Sequence, residues 1–202
     1  AVALCGAYWK GPVGFFLALT LGAVWGMVRW ISAFENHHRF FEFIGKQMVA
    51  IWYLPLFLPF FVLIRSDSEG MAWVFFLLAV NYAGDTGAYY VGRGLGRHKL
   101  APQVSPQKTI EGSLGGLAAN ALIAWGFQEI FLPQYEPLPL ILLGLIVGLV
   151  SQVGDLVESV LKRIARVKDS SSIFPGHGGF LDRVDSLLLP APVVYGFMIF
   201  LR

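Results

Sequence analysis

The residues best suited to chemistry lie on one helical stripe. Asp155, Glu158, Ser159 and Lys162 recur at i, i+3, i+4 and i+7 within an otherwise apolar run. Two carboxylates followed by an ammonium on one face suit a hard cation beside a phosphate. An ordinary i, i+4 charge pair accounts for Glu158 and Lys162. It does not account for Asp155, which lies deeper in the apolar stretch.

The next segment, from Lys168 to Asp185, is dense in the same chemistry. It holds Lys168, Asp169, Gly176, His177, Gly178, Gly179, Asp182 and Arg183. Glycines let backbone N–H groups approach a phosphate, Lys and Arg supply countercharge, and Asp is a ligand for Mg²⁺. With four His and one Cys in the chain, a zinc site is not expected. Upstream, Asp85 shares a helix face with Tyr89. An acid in a membrane helix costs about 2.5–3.5 kcal/mol on insertion scales, so it faces protein or water. The run Gly92 to Lys99, continuing through Ser105 and Lys108 to Gly112, could bring backbone amides and bases to a phosphate. Its spacing is not that of a Walker loop, and taken alone a basic cytoplasmic loop explains it better. Ser105 to Gly112 also reads as a helix start, with Glu111 near the entry.

These residues must be positioned by helices in a bilayer. Of 202 residues, 56% are hydrophobic and only 14% charged, with a mean hydropathy of +0.63. A soluble domain carries about 25% charged residues. The expected fold is all-α: a polytopic membrane protein with about six transmembrane helices, near 12–28, 47–64, 71–91, 112–132, 138–160 and 184–201. Residues 1–202 read as one helical membrane domain, with the candidate motifs between 80 and 185. Prolines 55, 59, 190 and 192 predict kinks in the second and last spans, and the second could be two half-helices. This division places 12 of the 15 Lys and Arg residues in alternate loops, which predicts a cytoplasmic side for the motif loops and both termini outside. A net charge of +2 gives no case for nucleic-acid binding, and the single Cys5 excludes a disulfide framework. The chain does not begin with Met and lacks a signal-peptide n-region, so a fragment of a longer protein is expected.

The run Ser159-x-x-Lys162-Arg163, then Lys168-Asp169, then Pro175-Gly176-His177-Gly178-Gly179-x-x-Asp182-Arg183-x-Asp185 resembles the signature of phosphatidate cytidylyltransferases. Asp85-Thr86-Gly87-Ala88-Tyr89, Gly92 to Gly96, Ser105 to Gly112 and Gly154-Asp155-Leu156 resemble the same family, so the likeness covers roughly residues 80 to 202. Members of that family usually have further N-terminal helices. The resemblance implies Mg²⁺-dependent transfer of CMP from CTP to phosphatidate, with release of pyrophosphate. It implies metal binding by Asp155 and Asp182, a second cation of the K⁺ type, and a homodimer; the short form and expected topology point to the bacterial inner membrane.

The residues agree with such chemistry. A lipid phosphate is already an anionic nucleophile, so the protein need only bring anions together and stabilise charge. The expected catalytic set is Asp155, Asp182, Lys168, Asp169 and Lys108, with Asp85 as a further metal ligand. Lys162, Arg163, Gly176, His177, Gly178, Gly179, Arg183 and Ser105 are expected around the nucleotide. The acidic pattern of CDP-alcohol phosphatidyltransferases, D-x-x-D-G-x-x-A-R, is absent. An ion transporter would carry its polar residues across the membrane, whereas these gather at one end of their helices.

Overall fold

Proline and glycine decide where the helices start and stop. The computed structural model describes residues 2–33, 53–165, 167 and 181–201, without the side chains of 30–33, 54, 181 and 183. These residues form two compact units, Ala1–Met71 and Ala72–Arg202.

In the first unit, α1 (Val2–Ala33) is helical except at Gly11, where φ is 58° and ψ is −145°. Only glycine adopts that left-handed backbone readily. Pro12 then starts a second arm, a position that suits its fixed φ and missing N–H. The arms fold so closely that a β-carbon on Gly6 would lie 2.9 Å from the Gly14 carbonyl carbon. Two short helices follow, α2 (Leu54–Phe57) and α3 (Pro59–Arg65), divided at Pro59. Phe60 meets Phe15 of α1 edge-on, with ring centroids 5.4 Å apart.

The second unit holds α4 (Gly70–Leu95), β1 (Lys99–Ala101), β2 (Ser105–Thr109), α5 (Ile110–Phe131), α6 (Pro137–Ile164), α7 (Leu181–Leu188) and α8 (Pro190–Phe200). One end is pinned by Trp73, fully buried against the rings of Phe76, Tyr135 and Phe197 at centroid distances of 5.5–6.0 Å. The middle is close-packed through small residues. β-Carbons on Gly87 and Gly144 would lie 2.7 Å and 2.6 Å from the β-carbons of Ala119 and Ala124. Asn120, buried on α5, fills the space left by Gly84 of α4 and Gly148 of α6. Such crossings let backbones approach where no hydrophobic force separates helix from lipid.

The expected all-α architecture holds for these elements, apart from a short hairpin. The expected span boundaries fall within a few residues of α4, α5 and α6, and the last span is broken at Pro190 as its prolines predict. Residues 47–52 of the second expected span lie outside the described residues. Val2–Arg29 and α6 are long and apolar enough to cross a membrane. Gly11 breaks the first of these; from Pro12 to Ala33 α1 runs about 33 Å, comparable to a hydrocarbon core of about 30 Å.

The loop expected over 92–111 needs correction. Helix α4 continues to Leu95, and the rest forms an antiparallel hairpin pairing Lys99 with Thr109 and Ala101 with Ser105. Pro106 is tolerated because a two-stranded ribbon is all edge.

Gly148→Ala should lower stability by about 1–3 kcal/mol, because its new methyl overlaps the Asn120 amide. Gly126→Ala, with open space around it, should gain about 0.5–1 kcal/mol from helix propensity. Thermal unfolding in detergent checks both, and shifts of the same sign would refute the packing account.

Candidate active site

Four elements of the second unit enclose a cavity of about 610 Å³. Helix α4 contributes Asp85 and Tyr89, the hairpin Ser105 and Lys108, and α6 Gln152 and Asp155. The register of each element follows from its local chemistry. Thr109 caps α5, its hydroxyl accepting from the Gly112 N–H at 3.1 Å. A β-carbon on Gly96 would lie 2.7 Å from that hydroxyl, and one on Gly92 would lie 3.0 Å from it. These two glycines therefore give room to a capped helix start. Glu111 clips the same corner, accepting from the backbone N–H groups of Arg97 (3.1 Å) and His98 (3.2 Å), with its other oxygen 2.6 Å from His98 Nδ1. The His98 contact, aided by those backbone bonds, holds the Glu111 carboxyl down at about 2.

Within the cavity, Lys108 forms an ion pair with Asp155. Its ammonium also attracts Asp85, which Asp155 and Asp185 repel. Asp185 reaches this group because Gly154 lets α7 lie close against α6; a β-carbon there would lie 2.9 Å from the Asp185 carbonyl oxygen. Beyond the cavity, Lys162 pairs with Glu158, which is fully buried, and with Asp182 Oδ1 at 3.0 Å. Arg163 Nε donates to the Val104 carbonyl at 3.2 Å, joining the end of α6 to the hairpin turn.

A hydrogen-bonded node lies beneath these charges. Ser151 Oγ donates to Asn81 Oδ1 at 2.6 Å. Asn81 Nδ2 donates to Ser186 Oγ at 3.0 Å and more weakly to Asp85 Oδ2 at 3.5 Å. The Ser186 N–H donates to Asp185 Oδ1 at 2.7 Å. On the cavity wall, Ser113 and Gln152 bond reciprocally between α5 and α6.

Of the residues expected from sequence, Asp85, Ser105, Lys108 and Asp155 share the cavity wall. Lys162 and Asp182 form the neighbouring ion-pair cluster, and Arg163 braces the hairpin. Arg183 falls in α7, and its side chain lies outside the described residues. Lys168, Asp169, Gly176, His177, Gly178 and Gly179 also lie outside them. Asp185, Ser151, Ser186, Ser113 and Gln152 were not assigned roles from sequence. Ser151 and Gln152 sit one turn before Asp155 on the chemical stripe, a signal that could have found them. Ser113 and Ser186 become visible only when the helices are packed.

The donor chemistry fits a hard cation, since Asp85 and Asp155 present carboxylate oxygens to one cavity. Among the described residues, no three His, Cys, Asp or Glu side chains form a metal cage by themselves. Mg²⁺ commonly takes one or two carboxylates and completes its shell with substrate phosphate and water.

A family model described as the cytidylyltransferase family matches residues 1–201. A phosphatidate cytidylyltransferase of Bacillus subtilis is 41% identical over 180 residues, covering 89% of this chain and 66% of that protein. One of Synechocystis is 46% identical over 141 residues, covering 68% of this chain and 46% of its own length. One of Staphylococcus aureus is 40% identical over 149 residues, 73% of this chain and 56% of that protein. The chain thus spans from 46% to 66% of the length of these relatives.

Glu111→Gln should speed hydrogen exchange at the Arg97 and His98 amides, because a neutral amide oxygen accepts more weakly than a carboxylate. Exchange followed by mass spectrometry checks this. Unchanged protection in the hairpin would show that the clip does not hold it.

Proposed function

Because the chain belongs to the cytidylyltransferase family, we propose that this protein transfers the cytidylyl group of CTP to phosphatidate, giving CDP-diacylglycerol and pyrophosphate. The observation that carries this reading is the cavity in which Lys108 meets Asp155 beside Asp85. It offers an ammonium to phosphate and paired carboxylates to a cation, with the family and its phosphatidate-specific relatives supplying the substrates.

The reaction needs no protein nucleophile. A phosphate oxygen of phosphatidate attacks the α-phosphorus of CTP, the bond to the β-phosphate oxygen breaks, and pyrophosphate leaves with the electron pair. The protein's part is to align two anions and stabilise charge as it shifts. Lys108 neutralises phosphate charge within the cavity, and Asp85 and Asp155 would hold Mg²⁺, with Asp182 adjoining through the Lys162 cluster. Mg²⁺, when bound, would supply positive charge to the triphosphate oxygens. Lys168, Asp169 and the glycines of the 176–179 segment belong to the same proposed site, as do Lys162, Arg163, His177, Arg183 and Ser105. A second cation of the K⁺ type and a homodimer complete the reading.

The protein is proposed to be polytopic, with six crossings, in the bacterial inner membrane. Its motif loops face the cytoplasm, where the nucleotide is, at the level of the lipid head group. The distribution of Lys and Arg between alternate loops supports that orientation.

The protein purified in detergent, given phosphatidate, Mg²⁺ and CTP labelled at the α-phosphate, should move label into the lipid. Asp155→Asn and Lys108→Met should each reduce that transfer by about a hundredfold or more while leaving the protein folded. Absence of lipid label with the unaltered protein would refute the reaction. Full activity in Asp155→Asn would remove this cavity from it.

A further inference from the structure

Asp85 on α4 and Asp185 on α7 come from distant parts of the chain, and the charge of Asp185 disfavours that of Asp85. Asp155 adds to the repulsion from α6, while Lys108 from the hairpin and Lys162 from α6 oppose it. Hydrogen bonds connect the two acids by way of Ser186: Asn81 Nδ2 donates weakly to Asp85 Oδ2 and more closely to Ser186 Oγ, and the backbone N–H of the same serine donates to Asp185 Oδ1. Asn81 is 1% exposed and lies at the centre of the path. Its amide orientation is fixed chemically. An ionised Asp85 can only accept, so Nδ2 must face Asp85 and Ser186, and Oδ1 must face the Ser151 hydroxyl. Three helices are thus held by one side chain, at the level where their acids converge.

We infer that Asn81 is a positioning residue that holds Asp85 in place against the repulsion of Asp185 and thereby sets the affinity of the Asp85–Asp155 site for a divalent cation. This inference rests on the reading of the cavity as a cation and phosphate site. Asn81 itself does not line the cavity. It donates to Asp85, one of the two proposed ligands, and is itself anchored on Ser186 and Ser151, so that a cation does not have to reposition that carboxylate. Partners of this kind are worth about 10–100-fold in metal affinity at other sites.

The test uses Mn²⁺ as a probe, with binding measured by electron paramagnetic resonance on the detergent-purified protein without nucleotide. The Mg²⁺ dependence of lipid labelling is measured in parallel. Asn81→Leu and Ser186→Ala should each weaken Mn²⁺ binding about tenfold and raise the half-saturating Mg²⁺ concentration to match, with an unchanged KM for phosphatidate. Ser186→Thr, which keeps the accepting oxygen, should restore both. If Asn81→Leu does not fold, Ser186→Ala with its threonine rescue decides the matter. A lower rate with unchanged Mn²⁺ and Mg²⁺ dependence would overturn the inference, leaving Asn81 a structural residue only. Failure of the unaltered protein to label lipid, with Mn²⁺ binding still sensitive to Ser186→Ala, would sink the proposed reaction and leave Asn81's role standing.

Discussion

Mutual repulsion among acids governs the second unit. Asp85, Asp155 and Asp185 interact electrostatically, and Glu158 and Asp182 lie one turn away on α6 and near the start of α7. Glu158 is the fully buried one of these five, and removing its partner would cost about 3–5 kcal/mol. Lys108 and Lys162 each answer part of this charge, and the Asn81 node adds a neutral donor to Asp85. The arrangement leaves Asp85 and Asp155 facing a cavity that can accept further positive charge.

Close helix packing makes that gathering possible. Acids on α4, α6 and α7 can converge only if their backbones approach closely. Gly84, Gly87, Gly148 and Gly154 sit at points where a β-carbon would strike a neighbour. Gly154 is next to Asp155 in sequence and against the Asp185 carbonyl in space. One residue thus positions an acid on its own helix and admits the backbone of another. The hairpin depends on similar economy of space, with Gly92 and Gly96 surrounding the Thr109 cap from which α5 begins.

The sequence made some of this legible and hid the rest for physical reasons. Helix positions followed from apolar length, and the breaks at Pro59 and Pro190 followed from missing N–H donors. The stripe from Asp155 to Lys162 was visible because helical spacing is local. The hairpin was not, because its strands of three and five residues fall within a basic, glycine-rich run with no clear alternation. That Gly92 and Gly96 make room for Thr109 was not legible, since nothing local shows that the threonine comes to lie against them. Asp185 was quoted within a motif yet given no task. Its link to Asp85 spans about half the chain and passes through Ser186 and Asn81, which a linear reading does not join.

The division of countercharge bears on how the site can work. Lys162 is shared by two carboxylates, so moving it toward a phosphate would strand Glu158, which is fully buried. Lys108 has a lighter obligation: its pairing with Asp155 lies on a cavity wall, and both side chains are partly exposed. A cation arriving with a triphosphate could take over Asp155 and release the ammonium to phosphate oxygen, leaving no buried charge unpaired. The same exchange at Lys162 would cost several kcal/mol. Lys108, with one part-exposed partner, is therefore the lysine whose pairing can be exchanged at less cost, and Lys162 is tied to two acids.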